Sequence, residues 1–482
     1  MQWWADIFQM PHHHKYLPVV RNFPTTIKHN TTERMRLLFL GHLILLTASS
    51  FAQSHGQFVK EHKANCKVWL DEATPADSLI WNGNCKNDFA SGKGFLQWFR
   101  ENKLAATFEG EMKQGKFAGK GKFEIIGYAR FEGTFINGAL NGKGAAYFSN
   151  GGKTIGNFVN GDFLNLDDKY LPLLKKQTVA IKNTMEIYGN ITKDDNLFYY
   201  VLPPQKTIQA VLVLFPSTGE TAENVISCNK NMMQQAYDKN ILSVVVSANY
   251  NNTLDTDTTA KHFFDAIFED VIIKYKAPKN KFILSGLSLG GMNALQYTEM
   301  SRNAKYTTYL KPLAVIGIDP PVDMKDLYNG AKKAIVKYEK EGDKLSESKK
   351  IALQEDHYLV KEFEKQYGGS PEEFPEKYVE GSMFTRSSDD GGNAKYLINV
   401  PVRLYCDPDI VWQLKNKSRD YYDMNAANLS AMTNFLMQSG NTKAEFIPAI
   451  GKGFRVDGTR HPHSWSIVEP TDCIKWILEL TK

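Results

Sequence analysis

The chain has 482 residues, of which 42% are hydrophobic and 23% charged; at about 100–200 residues per domain, this predicts two to four folded domains and excludes both a single small module and a globally disordered chain. The net charge is +5, from 58 Lys and Arg against 53 Asp and Glu. Residues 1–52 hold five bases and two acids, so the remainder carries 53 against 51, and no basic surplus is left for nucleic acid.

The first feature in chain order is an apolar run, Leu37 to Leu46, that follows Met35-Arg36 and ends in Ser50-Phe51-Ala52. A short basic start, an apolar stretch of about ten residues and small residues at −3 and −1 of a cut after Ala52 predict a secretory signal over 35–52. The run falls short of the roughly 20 residues that span a bilayer. Gln53, not cysteine, follows the cut, so no lipid anchor is expected. Residues 1–34 precede the signal as an extension of uncertain origin. Met35 is the simplest initiator, and the triplet His12-His13-His14 then has no metal-binding meaning. The expected location is therefore secreted or periplasmic. Export permits disulfides; Cys66 and Cys85 lie close together and are the expected pair, while Cys228, Cys406 and Cys473 read as small buried residues.

Residues 81–163 repeat themselves. Phe108-Glu109-Gly110 recurs as Phe131-Glu132-Gly133, 23 residues on, and Gly133 as Gly156. Gly115 to Gly121 is echoed by Gly138 to Gly144, with a degenerate earlier copy from Trp81-Asn82-Gly83 to Gly94 and a truncated last one at Asn160-Gly161-Asp162-Phe163. A fixed short period predicts stacked hairpins, with Asn-Gly pairs supplying two-residue turns and the G-x-G pairs a close approach of backbones. About three and a half copies of the pattern Y/F-x-G-x-x-x-x-G-x-x-x-G-x-G resemble MORN repeats, placing a MORN-type β domain at 53–165. That resemblance implies membrane or protein contact; the plainer reading is a structural platform.

Residues 166–195 are polar and predict a linker. From 196 to 482, short apolar runs alternate with amphipathic stretches. Strands are expected at Val211–Phe215, Leu242–Ser247, Lys281–Ser285, Leu313–Ile318, Val402–Tyr405 and Ala444–Ile447, and helices at Ala222–Lys239, Ala260–Lys274, Met292–Met300, Tyr421–Met437 and Thr471–Leu480. This alternation predicts an α/β fold with a mostly parallel sheet covered by helices and a ligand site beyond the strand C-termini. The Lys-, Glu- and Tyr-rich stretch 320–398 interrupts the pattern and is expected to form a helical cap.

The third run ends in Gly286-Leu287-Ser288-Leu289-Gly290-Gly291. G-x-S-x-G between a strand and a helix predicts a sharp elbow that thrusts Ser288 out as a nucleophile, with the Leu289 N–H aimed at the substrate oxyanion. A serine hydroxyl needs a base, and the base an orienting carboxylate, in the chain order Ser, Asp, His. His357 sits in a charged helical stretch, leaving Arg460-His461-Pro462-His463-Ser464-Trp465 before the last helix; His463 is favoured and His461 is the alternative. The acid is expected just past the penultimate strand, in Cys406-Asp407-Pro408-Asp409, with Asp409 favoured over Asp407. A second oxyanion donor is expected in Pro216-Ser217-Thr218-Gly219, and Thr218 is nominated.

These pieces, Phe215 to Gly219, Gly286 to Gly291, Asp409 and His463-Ser464-Trp465, resemble an α/β-hydrolase of the secreted esterase kind, similar to feruloyl-esterase-like and dienelactone-hydrolase-like proteins. The resemblance implies a serine esterase that works through an acyl-enzyme with no cofactor or metal, on a small-molecule or glycan-linked ester. It departs from the pattern where Phe215-Pro216 replaces the usual His-Gly and where the acid lies in Cys-Asp-Pro-Asp. A peptidase of the prolyl-oligopeptidase type and a non-catalytic envelope scaffold are the competing readings.

Overall fold

The computed structural model describes residues 56–62, 65–71, 74, 77–179, 197–247 and 254–482. The expected signal at 35–52, the extension 1–34 and the histidine triplet lie outside the described residues.

Residues 57–163 form an 11-stranded, largely antiparallel sheet whose strands follow one another as a meander from Phe89–Arg100 to Asp162–Phe163. The turns use the expected chemistry: Asn137 and Gly138 have φ of 51° and 96°, and Asn160 and Gly161 have 52° and 93°, the paired left-handed conformation that Asn-Gly adopts at little cost. The repeat glycines pair with one another across strands, Gly94 with Gly110, Gly110 with Gly121, Gly121 with Gly133, Gly133 with Gly144 and Gly144 with Gly156. A Cβ at Gly121 would lie 2.7 Å from the Phe108 ring, so the glycine row is the channel in which the aromatics of the core seat. Phe108, Phe131 and Phe158 are among its fully buried side chains. The Cys66–Cys85 disulfide is present and ties the first strands together, while Cys228, Cys406 and Cys473 are free thiols.

The second sheet has eight strands: β1 (Lys175–Thr178), β2 (Phe198–Leu202), β3 (Ala210–Phe215), β4 (Ile241–Val246), β5 (Phe282–Leu287), β6 (Ala314–Ile318), β7 (Val402–Cys406) and β8 (Ala444–Pro448), in the spatial order 1-2-4-3-5-6-7-8. The first two strands are antiparallel to their neighbours, and all later pairings are parallel. β3 to β7 are buried along their whole length, as strands covered on both faces must be. Alternate residues feed two cores: Val211, Val213 and Phe215 face one side, and Ala210, Leu212 and Leu214 the other. The exposed edge strand β1 reads Lys-Lys-Gln-Thr, and such charge discourages edge-to-edge pairing.

Among the described residues the helices are α1 (Ala222–Cys228), α2 (Lys230–Asp238), α3 (Thr258–Tyr275), α4 (Leu289–Met300), α5 (Met324–Glu341), α6 (Glu347–Tyr367), α7 (Pro375–Gly381), α8 (Ile410–Lys417), α9 (Asn425–Gln438) and α10 (Pro470–Leu480). The single helix expected over Ala222–Lys239 is split at Asn229, whose side-chain amide donates to the Val225 carbonyl and so competes with the helical ladder. Three helices, α5 to α7, occupy the stretch expected to form a cap.

The described part of the stretch expected to be a linker is structured. Residues 175–178 form β1, and Leu166 and Tyr170 join Leu164 in the core of the second sheet. The last hairpin of the meander also touches the α/β unit, with Asn157 donating to the Leu166 carbonyl at 2.9 Å and Lys153 N–H to the Asp457 carbonyl at 2.9 Å.

Candidate active site

Ser288 stands between β5 and α4 with φ 54° and ψ −121°, a left-handed conformation that costs a non-glycine residue about 1–3 kcal/mol. Its N–H donates to the Ile318 carbonyl at 3.0 Å, and its own carbonyl accepts from Met292 N–H at 2.9 Å, so sheet and helix together hold the strained residue. A Cβ at Gly286 would sit 2.2 Å from the Gly290 carbonyl carbon, and one at Gly290 would sit 2.0 Å from the Phe215 carbonyl oxygen. Both obstacles are backbone and cannot move aside. Leu289 is the first residue of α4, where N–H groups have no intrahelical acceptor, as the elbow geometry requires.

His463 follows a loop closed by a bridge between Phe454 and Arg460. Its Nδ1 lies 2.6 Å from Asp319 Oδ2. A carboxylate only accepts, so the proton sits on Nδ1 and the lone pair on Nε2. Ser288, Asp319 and His463 line one cavity of about 500 Å³.

The carboxylate behind the imidazole is thus Asp319, not the expected Asp409 or its alternative Asp407. Asp319 begins the loop after β6, with its N–H on the Tyr405 carbonyl at 2.8 Å and its carbonyl accepting from Asn425 at 2.8 Å. The Cys406 thiol donates to Asp319 Oδ1 at 3.0 Å, and burial pushes that thiol well above its usual range, which keeps it a donor. Asp409 is engaged elsewhere. It caps α8 by accepting from Trp412 N–H at 2.9 Å and pairs with Arg460 at 2.7 Å, and the Trp412 amide holds its carboxyl below the usual range. Asp407 accepts from the Gly451 and Gly453 amides and meets the same Arg460 guanidinium at 2.8 Å. Both therefore clamp the loop that delivers His463 without touching the ring. The clue in the sequence was Ile318-Asp319-Pro320-Pro321, an acid at the first position beyond a buried strand.

His461 is the other imidazole in the loop. Its Nδ1–H donates to the His463 carbonyl at 3.0 Å, its ring stands edge-on to Trp412 with centroids 5.2 Å apart, and burial drives its pKa well below the usual histidine range. It lines the cavity beside His463. His357 lies on α6, half-exposed, 3.7 Å from Glu339.

In the loop after β3, Thr218 lines the cavity, and the Ser217 N–H is taken by Glu220 at 2.9 Å. Glu220 is a residue that sequence reasoning passed over. Its buried carboxyl also accepts from Asn224 at 2.8 Å and from the Trp465 indole N–H at 2.9 and 3.0 Å, joining the candidate oxyanion loop to the residue two places after His463. Burial pushes it up to about 7, against the pull of these N–H donors. Across the cavity, Leu327 and Leu359 from α5 and α6 and Phe363 supply an apolar wall, with Lys417 and Glu355, 3.4 Å apart, at its polar end.

No protein-family profile and no curated protein matches the chain. Solved structures similar to it include MPT51 of Mycobacterium tuberculosis, at 12% identity and a TM-score of 0.42 over 64% of this chain and 99% of that one. Others are an esterase of the archaeon Pyrobaculum calidifontis, at 16% and 0.39 over 64% and 82%, and carboxyl esterase 2 of the fungus Tuber melanosporum, at 13% and 0.40 over 66% and 88%.

Proposed function

We propose that this protein is a serine hydrolase of the α/β-hydrolase kind that cleaves carboxylic esters through an acyl-enzyme. The observation that carries this reading is the part-buried 2.6 Å contact of His463 Nδ1 with Asp319, in the same cavity as a serine on a glycine-flanked elbow. In the proposed mechanism, Ser288 Oγ attacks the ester carbonyl while His463 Nε2 takes its proton. The Asp319 carboxylate stabilises the imidazolium, and the Leu289 and Thr218 N–H groups hold the oxyanion. His463 then returns the proton to the leaving alcohol, and a water repeats the cycle to release the acid. Every proton moves between groups of this chain, the substrate and the hydrolytic water, so the proposal names no cofactor.

Export is part of the same proposal, supported by the signal-like sequence at 35–52 and by the Cys66–Cys85 disulfide. The MORN-like meander is read as a platform that braces the catalytic half, supported by its contact with Asp457 in the loop before His463. The test is labelling by a fluorophosphonate probe, which Ser288→Ala is expected to abolish, together with turnover of short p-nitrophenyl esters but not of dipeptide amides. Absence of labelling in the parent protein would refute the hydrolase reading, and preference for the amides would make it a peptidase.

A further inference from the structure

Beside the candidate active site lies a second chamber that the proposed mechanism leaves unused. It measures about 310 Å³, shares Ser217, Thr218, His461 and His463 with the first, and extends past Trp465 to Phe454, Arg455 and Val456. Val456 also packs against the core of the meander, so the far wall of this chamber lies where the two sheets meet. An ester with its carbonyl at Ser288 can therefore send one arm under the cap and the other past His463 toward Arg455.

Arg455 is fixed by a tight turn, with its N–H on the Thr459 carbonyl at 2.9 Å and its carbonyl accepting from Gly458 at 3.0 Å. Its guanidinium is unlike the others. Every other arginine among the described residues reaches a carboxylate, hydroxyl, amide or carbonyl oxygen; Arg455 makes no side-chain hydrogen bond or ion pair. The carboxyls whose charge reaches it, Asp457 and Glu355, are already engaged. Asp457 accepts from the Thr459 amide and hydroxyl at 2.9 and 2.6 Å, and Glu355 pairs with Lys417 at 3.4 Å. A partly buried guanidinium without an acceptor is costly, and desolvation pulls its pKa down accordingly. Five donors in a planar fork, on the lining of a chamber that shares His463 and Thr218 with the cavity of Ser288, suit an anion of carboxylate or phosphate shape.

We propose that this chamber is a subsite for an anionic group carried on one arm of the ester substrate, with Arg455 as its recognition residue; the proposal rests on the ester-hydrolase reading above. A charged hydrogen-bonded pair of this kind predicts a preference of about 10- to 100-fold in kcat/KM for the anionic ester.

The test uses the full-length chain and two matched pairs: 4-acetoxybenzoate against its methyl ester for the alcohol arm, and mono-4-nitrophenyl glutarate against 4-nitrophenyl pentanoate for the acyl arm. The ratio of kcat/KM within each pair is compared between the parent, Arg455→Met and Arg455→Lys, which cancels the intrinsic reactivity of the esters. The expected result is a ratio that falls about 10- to 100-fold in Arg455→Met for one pair, is partly retained in Arg455→Lys, and shrinks with added salt in the parent. A ratio unchanged in Arg455→Met, in protein with the parent's melting curve, overturns the subsite and leaves the esterase standing. If neither pair is cleaved, the esterase reading falls, and calorimetric binding of benzoate against benzyl alcohol decides the subsite: equal affinities in parent and Arg455→Met overturn it. Should Arg455→Met fail to fold, Arg455→Lys and the salt dependence carry the same decision.

Discussion

Asp319→Asn isolates the role of the carboxylate behind His463. The substitution keeps the shape of the side chain and removes its charge. In the transition state the imidazole becomes a cation 2.6 Å from Asp319 Oδ2. At an effective dielectric of about 20 this contact is worth roughly 6 kcal/mol, and at about 40, allowing for the partial exposure of the ring, roughly 3 kcal/mol. At about 1.4 kcal/mol per decade these bracket a loss of about 10² to 10⁵ in kcat. The asparagine also presents an N–H where the ring needs an acceptor, favouring the wrong tautomer, and loss of the orienting acid by this change typically costs about 10⁴. A loss near 10³–10⁴ in kcat with p-nitrophenyl butyrate, at little change in KM, is therefore expected. Asp409→Asn is the comparison: it keeps an oxygen to cap α8 and removes the charge from one of the two acidic contacts of Arg460, for which a stability loss of no more than about 1 kcal/mol is expected and no loss of kcat on the scale of Asp319→Asn. Asp319→Asn within tenfold of the parent, or Asp409→Asn as damaging as Asp319→Asn, would refute the assignment.

Glu220→Gln leaves one amide oxygen to serve donors from Ser217, Asn224 and Trp465, and an unsatisfied buried donor costs about 1–3 kcal/mol; a drop in kcat of about tenfold or more is expected. Because the folded Glu220 carboxyl is raised from its ordinary 4.5 to about 7, its contribution to stability is full below pH 4.5 and is lost as the pH rises through 7. The melting temperature of the parent relative to Glu220→Gln should fall over that window, and a flat difference would show that Glu220 does not titrate there. Gly290→Ala places a methyl carbon 2.0 Å from the Phe215 carbonyl oxygen, so fluorophosphonate labelling should be lost; normal labelling would disprove the elbow packing. Removing the Cys66–Cys85 crosslink, which spans 19 residues, should destabilise the meander by about 3 kcal/mol on loop-entropy grounds, read as a lower melting temperature for Cys66→Ser/Cys85→Ser and after reduction.

Local chemistry made much of this molecule legible from sequence. Asn137-Gly138 specifies a left-handed two-residue turn wherever it occurs. A G-x-S-x-G after a buried strand allows few other conformations, because its glycines answer backbone contacts made within one strand–turn–helix unit and with the neighbouring strand. The helices Met324–Glu341 and Glu347–Tyr367 were visible as a Lys-, Glu- and Tyr-rich interruption of the strand pattern. The unit of these readings is a few residues, and their signal is backbone conformation or periodicity.

The acid was different. Chain order admits any carboxylate between Ser288 and His463, and β6 and β7 are adjacent parallel strands, so their C-terminal ends lie about 5 Å apart and both present acids to the same rim. Sequence alone established that an acid, a base and a serine were available beyond strand ends in the required order. Tertiary structure decided that Asp319 faces the ring, that Asp407 and Asp409 hold Arg460, and that Glu220 joins two loops 245 residues apart. Which carboxylate meets which donor is a question of a few ångströms across strands distant in sequence, and no local preference of the chain encodes that distance.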